Sequence, residues 1–177
     1  MVVIKHHGVL GMKWGVRKDQ NQPSRSTNSI LSRHNTNSGV TVELSVNKTP
    51  AFTAFLAKHN KNVQEYLKNS KSIKLLAGGN VVGEMDLFLE SPKSLNVIWV
   101  QVNPKFEGTG YGTAAMKGAI NYAKKTGMEK VTLEVPATSP NARHIYEKLG
   151  FEAKGAVTGN EDLFWGGLTR MELDLQK

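Results

Sequence analysis

The sequence predicts an α/β domain in the α+β sense, a mixed central sheet of about six or seven strands flanked by helices, behind a flexible N-terminal extension. Three observations predict it. From Val40 onward, apolar residues alternate with polar ones or run in short blocks of strand length. Two segments of helical spacing, Gly110–Thr126 and Ser139–Gly150, each follow such a strand and stop at a glycine. Before Val40 the composition turns small and polar: thirteen of the twenty residues Gln20 to Gly39 are Ser, Thr, Asn or Gln. That stretch cannot bury enough apolar surface to offset backbone ordering, so residues 19–39 read as a polar linker. Residues 1–18 form a tag, and 40–177 form the domain.

In order, Val40, Val42, Leu44 and Val46 have the period of a half-buried strand. Thr49-Pro50 opens a helical segment carrying Phe52, Phe55, Leu56, Val63, Tyr66 and Leu67, with a break near Asn60-Lys61-Asn62. Ile73–Ala77 and Val81–Leu89 flank Gly78-Gly79-Asn80, a hairpin signal. Val97-Ile98-Trp99-Val100 reads as a strand covered on both faces. The helix after it carries Ala115, Ala119 and Ala123 on one stripe, and Val131, Leu133 and Val135 then alternate as a strand. Strand, helix and strand over 97–135 predict a right-handed parallel crossover. Phe151–Lys154 and the run Met171, Leu173, Leu175 complete the sheet.

Composition narrows the chemistry. There are no cysteines, which removes thiolate nucleophiles, disulfides and cysteine-ligated zinc. The net charge is +8, but residues 1–39 carry six Lys/Arg against Asp19, while 40–177 carry seventeen against fourteen acids. Any nucleic-acid partner therefore has to be met by the tail. No stretch approaches the roughly 20 apolar residues of a membrane span, and the start lacks a secretory apolar run of about 7–15. The expectation is a soluble cytoplasmic protein made without a signal peptide, with no membrane partner.

Glu107-Gly108-Thr109-Gly110-Tyr111-Gly112-Thr113 lies between the buried strand and a helix. Glycines there allow positive φ and close approach of a ligand, and the helix N-terminus favours a phosphate. The spacing fits neither common nucleotide motif. A tight turn that packs helix on strand explains it as well.

The second segment decides between these readings. Asn141-Ala142-Arg143-His144-Ile145-Tyr146-Glu147-Lys148-Leu149-Gly150-Phe151 resembles the N-x-x-A-x-x-x-Y-x-K-x-G-F signature of the GNAT superfamily of acyl-CoA-dependent N-acetyltransferases. The family's loop, [QR]-x-x-G-x-[GA], aligns with Glu107, Gly110 and Gly112, with Glu107 standing where the pattern has Gln or Arg. The resemblance covers about residues 40–177. It implies the GNAT fold and acetyl-CoA as cosubstrate, in an opening between two splayed strands, Leu95–Val102 and Lys130–Val135. By that resemblance, backbone groups near Val100 and Val102 bind the pantetheine arm. Gly108, Thr109, Gly110, Tyr111 and Gly112 hold the pyrophosphate, and Asn141 contacts the CoA arm. Tyr146 is the catalytic acid that protonates the leaving thiolate, as a phenol still protonated at neutral pH can do. Glu84 and Asp86 share a strand face and are candidates to relay a proton through water. His144 is not assigned as a base. No metal is implied. The acceptor is a small-molecule or protein amine, chosen by Thr49–Asn69 and Ala156–Arg170. The acidic turn Gly159-Asn160-Glu161-Asp162 hints at a cationic one.

The tag His6-His7-Gly8-Val9-Leu10-Gly11-Met12-Lys13-Trp14-Gly15-Val16-Arg17 resembles a short H-G-V-L-G-M-K-W-G-x-[RK] segment near the ends of structural and ejected proteins of tailed bacteriophages. That resemblance implies a docking or packaging peptide, with a phage structural protein as partner through residues 6–17. The expected location is then the virion, the host cytoplasm or both. A basic arm that touches nucleic acid through Arg17, Lys18, Arg25 and Arg33 is the reading set second. Three function classes follow: an active N-acetyltransferase carried with a phage, a virion component that keeps the fold with weak or no catalysis, and a nucleic-acid binder. The linker reading further predicts that a chain beginning at Gly39 folds with nearly unchanged stability.

Overall fold

The computed structural model describes residues 30–47, 60–157 and 167–177. The tag, residues 19–29 of the linker, the first part of the helical segment after Val46 and the acidic turn at 159–162 lie outside the described residues. Within them the chain builds one mixed sheet of eight strands: β1 (Ile30–Asn35), β2 (Thr41–Val46), β3 (Ser70–Ala77), β4 (Asn80–Ser91), β5 (Ser94–Val102), β6 (Lys130–Pro136), β7 (Glu152–Val157) and β8 (Leu168–Asp174). Their order across the sheet is β1-β2-β3-β4-β5-β6-β8-β7. Among the described residues three helices accompany them, α1 (Lys61–Asn69), α2 (Tyr111–Lys125) and α3 (Pro140–Lys148).

The elements start and stop where their residues dictate. The Asn60 side chain accepts from the N–H groups of Asn62 and Val63, which caps α1 and explains the break in helical pattern at this point. Gly78 and Gly79 take φ of 56° and 79° between β3 and β4, the two consecutive positive values that a tight hairpin turn needs. The crossover from β5 through α2 to β6 is parallel, as the pattern predicts. Val42, Leu44, Ile73, Leu75, Met85, Val97, Val100, Leu133 and Met171 are buried along the sheet. They form one core with Ala115, Met116 and Ala119 of α2 and with Ala142 and Tyr146 of α3.

One finding corrects the composition argument. Ile30–Asn35 falls inside the segment assigned to the linker, yet it is an edge strand paired antiparallel with β2, from Ile30 opposite Ser45 to Asn35 opposite Thr41. It raises the strand count to eight, above the six or seven expected. The physical reason lies on α2. Ser32 is buried and its hydroxyl donates to the Gly118 carbonyl at 2.8 Å. Asn121 Nδ2 meets His34 Nδ1 at 3.2 Å. Thr36, also buried, accepts from the Val40 N–H at 3.0 Å. Polar residues of this strand find partners that composition cannot foresee.

Candidate active site

The site begins with a miscount in the sheet. From Val102 opposite Gly83 to Trp99 opposite Asp86, β5 pairs with β4 in step; the next pair is Val97 opposite Leu87, so Ile98 is an extra residue. Such a bulge shifts the side-chain alternation by one and bends the strand. Burial records the shift. Leu95 and Val97 before the bulge are buried, and so is Val100 after it, although it lies three residues from Val97.

The pairing of β5 with β6 stops at the same place. It runs from Ser94 opposite Lys130 to Val97 opposite Leu133, while β5 continues to Val102 and β6 to Pro136. Beyond Val97 the two strands part. Among the described residues, no strand then pairs with the side of β5 that faces β6.

The glycine loop sits at the head of this gap. A single 3-10 turn, Pro104–Phe106, leads from β5 to Glu107. Gly108 and Gly110 have φ of 77° and 84°, and both are exposed. Gly110 is the N-cap of α2, and among the described residues no side chain caps that helix. The first N–H groups of the helix therefore lack the partner that a capping side chain supplies elsewhere. A Cβ built at Gly112 lies 3.6 Å from Val102 Cγ2, so the loop and the β5 wall are in contact. The Thr109 N–H and hydroxyl both donate to the Phe106 carbonyl, at 3.4 and 2.6 Å, so this residue of the predicted pyrophosphate loop is already engaged within the turn. Lys105 lies over the Phe106 ring, 4.9 Å from its centroid, and forms no ion pair with Glu107 among the described residues.

The remaining predicted residues fall as follows. Val100 is buried and Val102 half-buried on β5. Asn141 is exposed in the first turn of α3, on the helix that leaves the β6 wall. Tyr146 is fully buried, its ring 5.9 Å from that of Phe151, and burial raises its phenol above the ordinary value. Glu84 is exposed and Asp86 half-buried. Burial, and then the charge of Asp86, raise the Tyr66 phenol, whose ring stacks on Phe88 at 5.7 Å. Among the described residues no group of three His, Asp or Glu side chains gathers as a metal site, and no helix is long and apolar enough to cross a membrane.

Two features escape sequence reasoning. Thr36 approaches the loop: its Cβ is 3.8 Å from where a Cβ at Gly110 would be. Below the gap, Arg170 donates to Glu90 at 2.5 Å, and Ser94 and Thr132 donate to the same carboxylate at 3.0 and 3.2 Å. Burial pushes the Glu90 carboxyl up, but these hydrogen bonds and the Arg170 charge outweigh it and hold it below its ordinary value. The network ties β4, β5, β6 and β8 together where the gap closes. Neither feature has a signal in the sequence, because each joins residues far apart in the chain.

Comparison with known proteins places this geometry. Residues 45–151 match the Acetyltransferase (GNAT) family, and residues 3–21 match a separate family of unknown function, DUF7211. An uncharacterized N-acetyltransferase of Methanocaldococcus jannaschii, MJ1207, is 47% identical over 58 residues, 33% of this chain and 26% of that protein. The uncharacterized N-acetyltransferase YvbK of Bacillus subtilis is 25% identical over 124 residues, 64% of this chain and 80% of the relative. The chain thus spans about a quarter of the first relative and most of the second. A Bacillus subtilis acetyltransferase solved in complex with CoA has the same fold, with a TM-score of 0.59 at 21% identity over 77% of this chain and 99% of that one. The spermidine/spermine N-acetyltransferase SpeG of Vibrio cholerae superposes with a TM-score of 0.60 at 18% identity, over 76% and 94%.

Proposed function

Because the chain belongs to the acetyltransferase (GNAT) family, we propose that it moves an acetyl group from acetyl-CoA to the amine of a small molecule or protein. The observation that carries the reading is the parting of β5 and β6 after Val97 and Leu133, beside a helix N-terminus that no described side chain caps. The freed edge of β5 near Val100 and Val102 suits the amides of a pantetheine arm. The exposed turn at Gly108 and Gly110, with Gly112 and the first N–H groups of α2, suits a pyrophosphate. Asn141 and Tyr111 border that path. Glu107 brings a carboxylate close to it, which weakens cofactor binding relative to the Gln or Arg of the family pattern.

The neutral amine attacks the thioester carbonyl, the carbon–sulfur bond breaks as Tyr146 donates its proton to the departing sulfur, and the proton shed by the attacking nitrogen passes through water and restores the phenol. Burial that raises the phenol keeps it protonated throughout the neutral range, so it serves as a donor and not as a base. Tyr146→Phe is expected to lower turnover by about 10² or more with CoA affinity little changed. Equal turnover of the two proteins on one substrate overturns the assignment.

We infer also that residues 6–17 dock the chain to a partner, in keeping with a phage virion protein. The separate family match over residues 3–21 supports a module distinct from the acetyltransferase domain.

A further inference from the structure

We propose that β1 is a positioning strand for the acetyl-CoA loop: it sets where α2 lies, and so how well the N-terminal donors of α2 meet the cofactor. The proposal rests on the reading of the 108–112 loop as the pyrophosphate site.

The helix that presents this loop crosses from β5 to β6, yet it packs mainly against β1 and β2. Its placement therefore depends on the N-terminal hairpin more than on the walls of the gap. Alternate residues of β1, and then the residue that follows it, face the helix in succession. Ser32 donates to the Gly118 carbonyl at 2.8 Å, His34 meets Asn121 at 3.2 Å, and Thr36 stands beside Gly110 at the head of the helix. The three contacts reach from the body of α2 to its N-cap.

The fit at Gly118 is close. A Cβ there would lie 2.8 Å from Leu44 Cδ1 and 2.9 Å from Ser32 Oγ, nearer than real contacts allow. Glycine at this point lets the strand lie directly on the helix backbone. At the other end, the turn after β1 is held by its own bonds. Thr36 Oγ1 accepts from the Val40 N–H and pairs with Ser38 Oγ at 2.9 Å, while the Thr36 N–H donates to the Val40 carbonyl at 2.9 Å. The methyl side of Thr36 is thereby fixed toward Gly110. Any shift of β1 along α2 moves the residue that stands next to the loop.

Linkage makes the idea testable on the unaltered protein. If a docked β1 favours CoA binding, bound CoA must favour a docked β1 by the same factor. Saturating CoA is expected to slow amide hydrogen exchange across residues 30–36 in the full chain by at least about fivefold. Exchange there that is unchanged by CoA overturns the proposal.

Full-length variants give the second arm. Ser32→Ala removes one buried hydrogen bond and is expected to raise the CoA dissociation constant by about fivefold. Gly118→Ala is expected to raise it further, because the added methyl displaces both Ser32 and Leu44. For both, the KM for the amine and kcat at saturating acetyl-CoA stay unchanged, and Ser32→Thr, which keeps the hydroxyl, retains more of the affinity than Ser32→Ala. Lower thermal stability with unaltered CoA affinity makes β1 ordinary packing and overturns the proposal. Gly110→Asp separates the two readings: if it too leaves CoA affinity unchanged, the loop assignment itself is wrong, whereas loss of binding in Gly110→Asp alone condemns only the role of β1.

Discussion

Strands β1 and β5 are held in one sheet by different means. β5 is an interior strand whose Leu95, Val97 and Val100 are buried on apolar neighbours, so its place follows from the area it removes from water. β1 is an edge strand that meets α2 through Ser32 and His34, with Thr36 just beyond its end, and its place follows from individual partners. The difference teaches that hydrophobic burial is tolerant of detail, whereas a polar strand depends on every contact being made. The first kind of strand is written in local periodicity. The second is written in pairs of residues far apart in the chain.

The largest effect is expected on the apolar side of this contrast. Val97→Asp places an unpaired carboxylate where the β5–β6 ladder ends in a fully buried position. A cost of about 4 kcal/mol or more follows, enough to unfold an ordinary domain, and circular dichroism during thermal unfolding measures it. A folded variant with near-normal stability shows that the gap already admits water to this position.

Removal of β1 comes next. The linker reading expects a chain beginning at Gly39 to keep its stability, and the strand reverses that expectation. Loss of the Ser32–Gly118 bond, of the ladder with β2 and of the cover over Leu44 is expected to cost on the order of 3 kcal/mol. The midpoint of denaturant unfolding reads this directly, and an unchanged midpoint restores the linker reading. The same truncated chain, lacking residues 6–17, is expected to be absent from purified particles. Incorporation equal to the full chain ends the docking reading.

The smallest effect concerns Glu90, where a polar network and an apolar strand meet. Its carboxyl is held below its ordinary value of 4.5, so its ionised form contributes stability that is present above that pH and is lost as pH falls through the lowered value. The groups are partly exposed, and screening limits the contribution to below about 1 kcal/mol. Glu90→Gln is expected to flatten the decline in stability below pH 4.5 slightly, in matched thermal melts. Identical acid profiles for the two proteins remove the network from the account of how the gap is closed.

Much of the fold is legible in the sequence because its signals are local. Glycine pairs mark the β3–β4 turn, Asn60 marks the break at which α1 starts, and the apolar run Val97–Val100 marks an interior strand, although only its two ends are fully buried. The loop and the 141–151 segment are legible as a resemblance, since both are short and continuous. What stays hidden depends on register or on distant partners. The extra residue at Ile98 emerges only when β5 is aligned with β4, and Gly118 reveals its purpose only beside Ser32 and Leu44. The burial of Tyr146 is equally hidden, because a tyrosine near the end of a short helix reads as half-exposed until Phe151 is seen to close over it.

The parting of β5 and β6 gives this sheet an interior border as well as its two outer ones. Any such border is an invitation to a foreign strand, because it displays backbone donors and acceptors at the spacing that a polypeptide matches. The chain leaves little room for that guest. β6 ends on Pro136, which has no N–H to offer, and β5 is followed closely by Pro104 and the turn that starts the loop. A full strand finds too short a ladder there, while a thin chain with a few amide groups needs no more than this length. In the proposed function, the place of that guest is taken by the amides of the pantetheine arm.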